Sequence, residues 1–186
     1  MTHTLTDWIM TASGRQFYPL APRAEDVCID DIAHHLAACN RFAGATTVPY
    51  SVAQHSVLVS VEMERCASAD LVAQWGLYGL LHDGSEFALG DIPRPLKRRD
   101  AYAAYREAEA RLMAVIYQVF GLLPHEPATL AVVDRRMLRT EQAQLMPPAA
   151  PGEVRTDVPV FDLRIEPWGF YRARGEFLAR FHTLAK

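Results

Sequence analysis

The sequence predicts an all-α fold: a single helical bundle of about six helices with a short N-terminal hairpin at most. Three observations carry this. Apolar residues recur three and four apart in segment after segment, the spacing that puts them on one helical face. Residues with strand character, broken by prolines, are confined to the opening stretch. The chain's 186 residues, 50% of them hydrophobic, suffice for one well-buried core and are short for two.

Taken in order, "QFYPLAP" and "DVCID" mix β-branched and aromatic residues with prolines and read as loop or hairpin. Asp30 can cap a first helix running to about Phe42, with Ile32, Leu36 and Cys39 at helical spacing. Ser51 caps a second helix to about Arg65. Ser68 and Asp70 open a third, "LVAQWGLYGLLHDGSEFA", which Pro93 and Pro95 end because proline lacks the donor a helix interior needs. Further helices are expected over roughly 99–120, 127–145 and 169–184. The stretch "MPPAAPGEV" (146–154) is linker-like.

Charge and cysteine content narrow the classes of function. A net charge of −3 offers no global attraction for long nucleic acid, although a local basic patch can hold a small phosphate-bearing ligand. Three cysteines without a CxxC pair suggest neither a disulfide framework nor a thiolate zinc site. The N-terminus lacks a signal-peptide pattern, and the sequence has no apolar run long enough for a membrane span. The expectation is a cytoplasmic protein with no membrane partner.

Polar residues on apolar faces point to chemistry. His55 shares a stripe with Val52 and Val59, and alone would be read as a satisfied core histidine. His82 shares a face with Tyr78, with Asp83 about 100° around the axis. Asp134 lies on the stripe of Leu130, Met137 and Leu138. Inward polar positions on three helices, two of them carboxylates, call for positive charge between them, since an unpaired buried carboxylate costs several kcal/mol or more. A divalent metal meets that need. Two imidazoles and two carboxylates suit manganese, cobalt, iron, nickel or magnesium, and zinc is compatible. The adjacent His34 and His35 diverge on their helix and are not read as ligands.

The order His55, His82–Asp83, then Asp134 resembles the HD-domain phosphohydrolases, all-helical enzymes that hold one or two metals by an H…HD…D set. The longer string "HDGSEFALGDIPRPLK" is similar to the bacterial 5'-deoxynucleotidases and phage-type HD hydrolases, including phage dATP triphosphohydrolases. "GRQFYPLAP", "DIAHHLAACNRFAG" and "PYSVAQHSVLVS" add to the likeness, which covers roughly 14–145 of a single domain spanning 1–186, with a C-terminal helical extension from about 155 to 186. The spacing from the HD pair to Asp134 is closer to the phage enzymes. The chain departs from the pattern at Gly44-Ala45, where many phage-type relatives have a histidine.

The resemblance implies His55, His82, Asp83 and Asp134 as metal ligands, and Glu86 and Asp91 as catalytic acids. It implies Arg41, Phe42 and Lys97 as substrate contacts. A carboxylate-rich site repels a phosphate dianion, so at least one cation must offset that field; Lys97 is the first choice and Arg41 the second. The expected activity is removal of the 5'-phosphate from deoxynucleoside monophosphates. The alternatives are release of triphosphate from a deoxynucleoside triphosphate, with Arg98, Arg99 and Arg106 serving the longer tail, or a degenerate domain that only binds nucleotide or stabilises an assembly. The family analogy also implies a homodimer or higher homo-oligomer.

Overall fold

The computed structural model describes residues 7–148 and 157–185, and over them the fold is the expected all-α bundle with an N-terminal hairpin. The hairpin pairs β1 (Ile9–Met10) with β2 (Gln16–Phe17), and Gly14 takes the left-handed φ of 79° in its turn. Asp31 anchors it by accepting from the Ser13 backbone N–H and hydroxyl, both at 2.7 Å.

Helix α1 (Ile29–Ala38) starts one residue before the expected cap, and Asp30 pairs with Arg174 instead of capping. It also stops short of Phe42. The reason is competition for backbone: Cys39 O accepts from Val52 N–H and Arg41 N–H donates to Tyr50 O, so residues 39–41 pair with 50–52 rather than continue the helix. Phe42 and Ala43 then take left-handed φ values of 57° and 50° in a tight turn, turning the chain beside the site. Helix α2 (Val52–Cys66) begins where expected, with the Ser51 side chain accepting from Gln54 N–H.

Helix α3 (Val72–Leu81) begins after Ser68 and Asp70 and does not run on to Ala88. Gly84 N–H bonds Leu81 O at 2.7 Å, closing a tight turn over 82–85 before the short α4 (Glu86–Leu89). A side chain at 84 would meet Leu81 O at 2.8 Å, so glycine permits the break. One further turn, α5 (Arg94–Lys97), forms within the proline segment, with Pro95 at its start where no donor is needed. Helices α6 (Ala103–Val119), α7 (Ala128–Leu145) and α8 (Phe170–Leu184) match their expected spans closely.

Helix α2 packs against α3, α7 and α8. At Gly79 a Cβ would lie 2.8 Å from Ser60 Cα, so this glycine lets α3 approach the α2 backbone and sets the spacing of the residues they carry. Ile32, Leu36, Met63, Leu80, Leu112, Ile116 and Met137 are fully buried, each worth roughly 1.5–3 kcal/mol of apolar transfer. Past the linker-like stretch, whose residues 149–154 lie outside the described residues, the chain runs as an extended strap along α7. Successive turns of α7 hold it: Arg136 donates to Pro159 O, Thr140 accepts from Phe161 N–H, and Gln144 bonds Leu163 O and Ile165 N–H. Gln54 of α2 continues the seam through Glu166 O and Trp168 N–H. Among the described residues no helix is long and apolar enough to cross a membrane, and all three cysteines are free thiols.

Candidate metal centre

Three elements bring four side chains together. His55, fully buried, comes from the first turn of α2; His82 and Asp83 follow the last residue of α3; Asp134 comes from α7. The Nε2 atoms of His55 and His82 lie 3.3 Å apart. Asp83 Oδ2 is 3.5 Å from the first and 3.4 Å from the second. Asp134 Oδ1 is 3.4 Å and 3.9 Å from the same two nitrogens. Donors about 2.1 Å from a common ion in tetrahedral array lie about 3.4 Å apart, so the mutual spacing of His55, His82 and Asp83 fits one divalent ion. His55, His82 and Asp83 form a cluster able to hold a metal, with ligand atoms all within 4.8 Å of one another, and Asp134 faces it.

The local charges suit the same reading. Burial opposes ionisation of Asp83 and Asp134, yet the two histidines and Arg41 outweigh it and hold both carboxyls below the ordinary range. His55 is pushed up to about 9: burial and Arg41 work against its charge, but Glu141 and Asp134 prevail. A proton held on His55 supplies positive charge between these carboxylates.

Above the four donors opens a cavity of ≈ 370 Å³ whose walls include Arg41, Phe42, Asp83, Glu86, Asp91, Arg94, Lys97 and Asp134. All three expected substrate contacts and both expected acids are therefore in one wall system with two of the expected ligands. Glu86 reaches it from α4 despite the broken helix. It is 5% exposed, its Oε2 has no hydrogen-bond partner among the described residues, and burial, then Asp83 and Asp91, push it up to about 9. Burial likewise raises Asp91. Lys97 donates to Glu109 at 2.7 Å and approaches Glu86 Oε1 at 3.5 Å.

Other cations divide between the cavity and its surroundings. Arg94 lines the cavity and lies 3.6 Å from Asp134 Oδ2. Arg98 and Arg99 are exposed outside the lining, and Arg106 donates to the carbonyls of Lys97 and Arg99, bracing that loop. His35 spends both ring nitrogens on backbone, at Phe87 O and Ala12 N–H, in keeping with its exclusion as a ligand.

Sequence reasoning missed Glu141. Fully buried on α7, it meets His55 Nδ1 at 2.6 Å and Arg41 Nη2 at 3.1 Å, and accepts from Tyr50 OH at 2.9 Å. The available signal was its place seven residues after Asp134, two turns along the same face.

Fold and site together define an all-α bundle protein with a half-buried histidine–aspartate centre able to hold a metal ion. No family model matches the chain. It is 34% identical over 182 residues to "Uncharacterized protein YfdR" of Escherichia coli (strain K12), covering 96% of each chain. It is 39% identical over 134 residues to "Uncharacterized protein RCAP_rcc00048" of Rhodobacter capsulatus, covering 71% of this chain and 65% of that one. The chain belongs to the family of YfdR.

Proposed function

We propose that this chain is a metal-dependent phosphohydrolase of the HD-domain type, acting on nucleotides and releasing phosphate from deoxynucleoside 5'-monophosphates. The observation that carries the reading is the convergence of His55 Nε2, His82 Nε2, Asp83 Oδ2 and Asp134 Oδ1 beside a cavity walled by both acids and cations. A divalent ion held there lowers the pKa of water and polarises a phosphoryl oxygen.

The chain's own residues supply the rest. Glu86 carries or takes a proton at Oε2, the oxygen left without a partner, and Asp91 faces the same space. An ammonium has three donors; Lys97 directs two toward Glu109 and Glu86 and has one left for a phosphate oxygen. Arg41 commits Nε and Nη2 to Glu141 and Nη1 to Asp83, leaving part of its guanidinium edge for the cavity. Arg94 adds a third cation, and Phe42 offers its ring to the sugar or base.

A monophosphate suits this distribution better than a triphosphate. The cations that would serve a longer tail, Arg98, Arg99 and Arg106, stand outside the cavity lining. Phosphate and triphosphate release from a panel of deoxynucleoside mono- and triphosphates, with and without chelator, tests the reading. Chelator-sensitive orthophosphate from monophosphates supports it. Triphosphate from dATP alone would replace the substrate while keeping the site, and nucleotide binding without turnover would leave a degenerate domain.

A further inference from the structure

Glu141 is an expensive residue to bury. An ionised carboxylate with no exposure costs several kcal/mol of lost hydration unless its partners are complete. Here they are complete and all of one kind. Oε1 receives Tyr50 OH at 2.9 Å and His55 Nδ1 at 2.6 Å; Oε2 receives Arg41 Nε at 3.2 Å and Nη2 at 3.1 Å. A carboxylate only accepts, so the histidine proton at this contact sits on Nδ1.

A neutral imidazole has one N–H. With it on Nδ1, the Nε2 lone pair is left pointing at His82 Nε2, Asp83 and Asp134. His82 reaches the same state by a cheaper route, its Nδ1 facing Gly79 O at 2.9 Å. Arg41 bridges from Glu141 to Asp83 Oδ2, itself one of the donors, 3.3 Å away, so the extra negative charge is neutralised beside the site. We propose that Glu141 is the positioning residue of the metal centre, its buried carboxylate fixing His55 with Nδ1 protonated so that Nε2 ligates the ion. The proposal rests on the metal-dependent reading above.

The test is Glu141→Gln. An amide has one acceptor end and one donor end. If its NH₂ faces Arg41, donor meets donor and a buried charge is lost; if it faces His55, it drives the proton to Nε2 and blocks the ligand atom. Titrating chelator-treated protein with Mn²⁺ or Co²⁺ should show affinity weakened about 10–100-fold, the usual scale for such outer partners. Glu141→Asp, which keeps the charge one methylene back, should recover part of the loss. A folded Glu141→Gln with wild-type affinity overturns the proposal. Should the variants not fold, nitrogen-edited histidine NMR of zinc-loaded wild type decides: Nδ1 protonated and Nε2 metallated is expected, and Nδ1 metallated overturns it. A wild type that takes up none of these ions fails the metal-dependent reading as well, whereas equal uptake by wild type and Glu141→Gln fails only this inference.

Discussion

Replacing Glu86 with glutamine should change how the metal-free protein responds to pH more than how stable it is in acid. Glu86 is 5% exposed, and its burial together with Asp83 and Asp91 pushes it up to about 9 from an ordinary 4.5. A group whose pKa is raised by folding binds its proton more tightly in the native state. Its contribution is fully present below the unfolded value and is lost as pH rises toward the folded one. Each pH unit in that window is worth about 1.4 kcal/mol, so wild type should lose about 4 kcal/mol between about pH 5 and pH 8 on account of Glu86 alone. His55, also raised, adds a loss of the same sign above its ordinary 6.5, but both proteins share it. Asp83, Asp134 and Glu141 are lowered, so their contributions are lost toward acid and are common to both proteins as well. The difference between wild type and Glu86→Gln therefore isolates the one side chain. Urea denaturation in chelator at several pH values measures it: the variant should gain on wild type steadily as pH rises. Parallel stability curves over this range would refute the claim that Glu86 sits protonated in the cavity wall.

Three further outcomes follow from the packing and the charges. Gly79→Ala pushes a methyl to within 2.8 Å of Ser60 Cα, so it should destabilise the fold by about 1–3 kcal/mol in denaturation and weaken metal binding by separating His55 from His82. Lys97→Ala should lower kcat/KM for dAMP about tenfold or more, since a charge-assisted phosphate contact is lost and Glu86 and Glu109 lose their shared cation; unchanged values for dAMP and dATP would remove Lys97 from the site. Gln144→Leu cuts two bonds between α7 and the strap, and hydrogen exchange should rise at Ile165 while the α2–α3 core stays protected.

The long helices were legible because their apolar spacing and their caps agree, as at Ser51, whose hydroxyl accepts from Gln54 N–H as the sequence predicts. The errors lie where a distant partner competes for the backbone. Nothing local in "AACNRF" announces that residues 39–41 pair with 50–52, and the early end of α1 follows from that pairing. Gly84 gave a local hint of the break after Leu81 that helical periodicity overrode. For the site, inward polar residues on three helices pointed to positive charge between them, the resemblance supplied the ligand set, and the structure brings His55, His82 and Asp83 into one cluster that Asp134 faces. Glu141 escaped because the amphipathic "RTEQAQL" reads as a solvated end of α7, while its burial depends on Tyr50 and Arg41, some ninety to a hundred residues away. The strap too was hidden, since its bonds use backbone groups rather than a side-chain pattern.

The central claim is that His55, His82, Asp83 and Asp134 hold one ion that phosphate release requires. Metal content and orthophosphate release from dAMP, measured side by side for wild type and a folded Asp134→Ala, test it most directly. The account predicts about one divalent ion per chain and chelator-sensitive turnover in wild type, with both falling together in the variant. An Asp134→Ala protein that keeps its metal and its rate would contradict the ligand set.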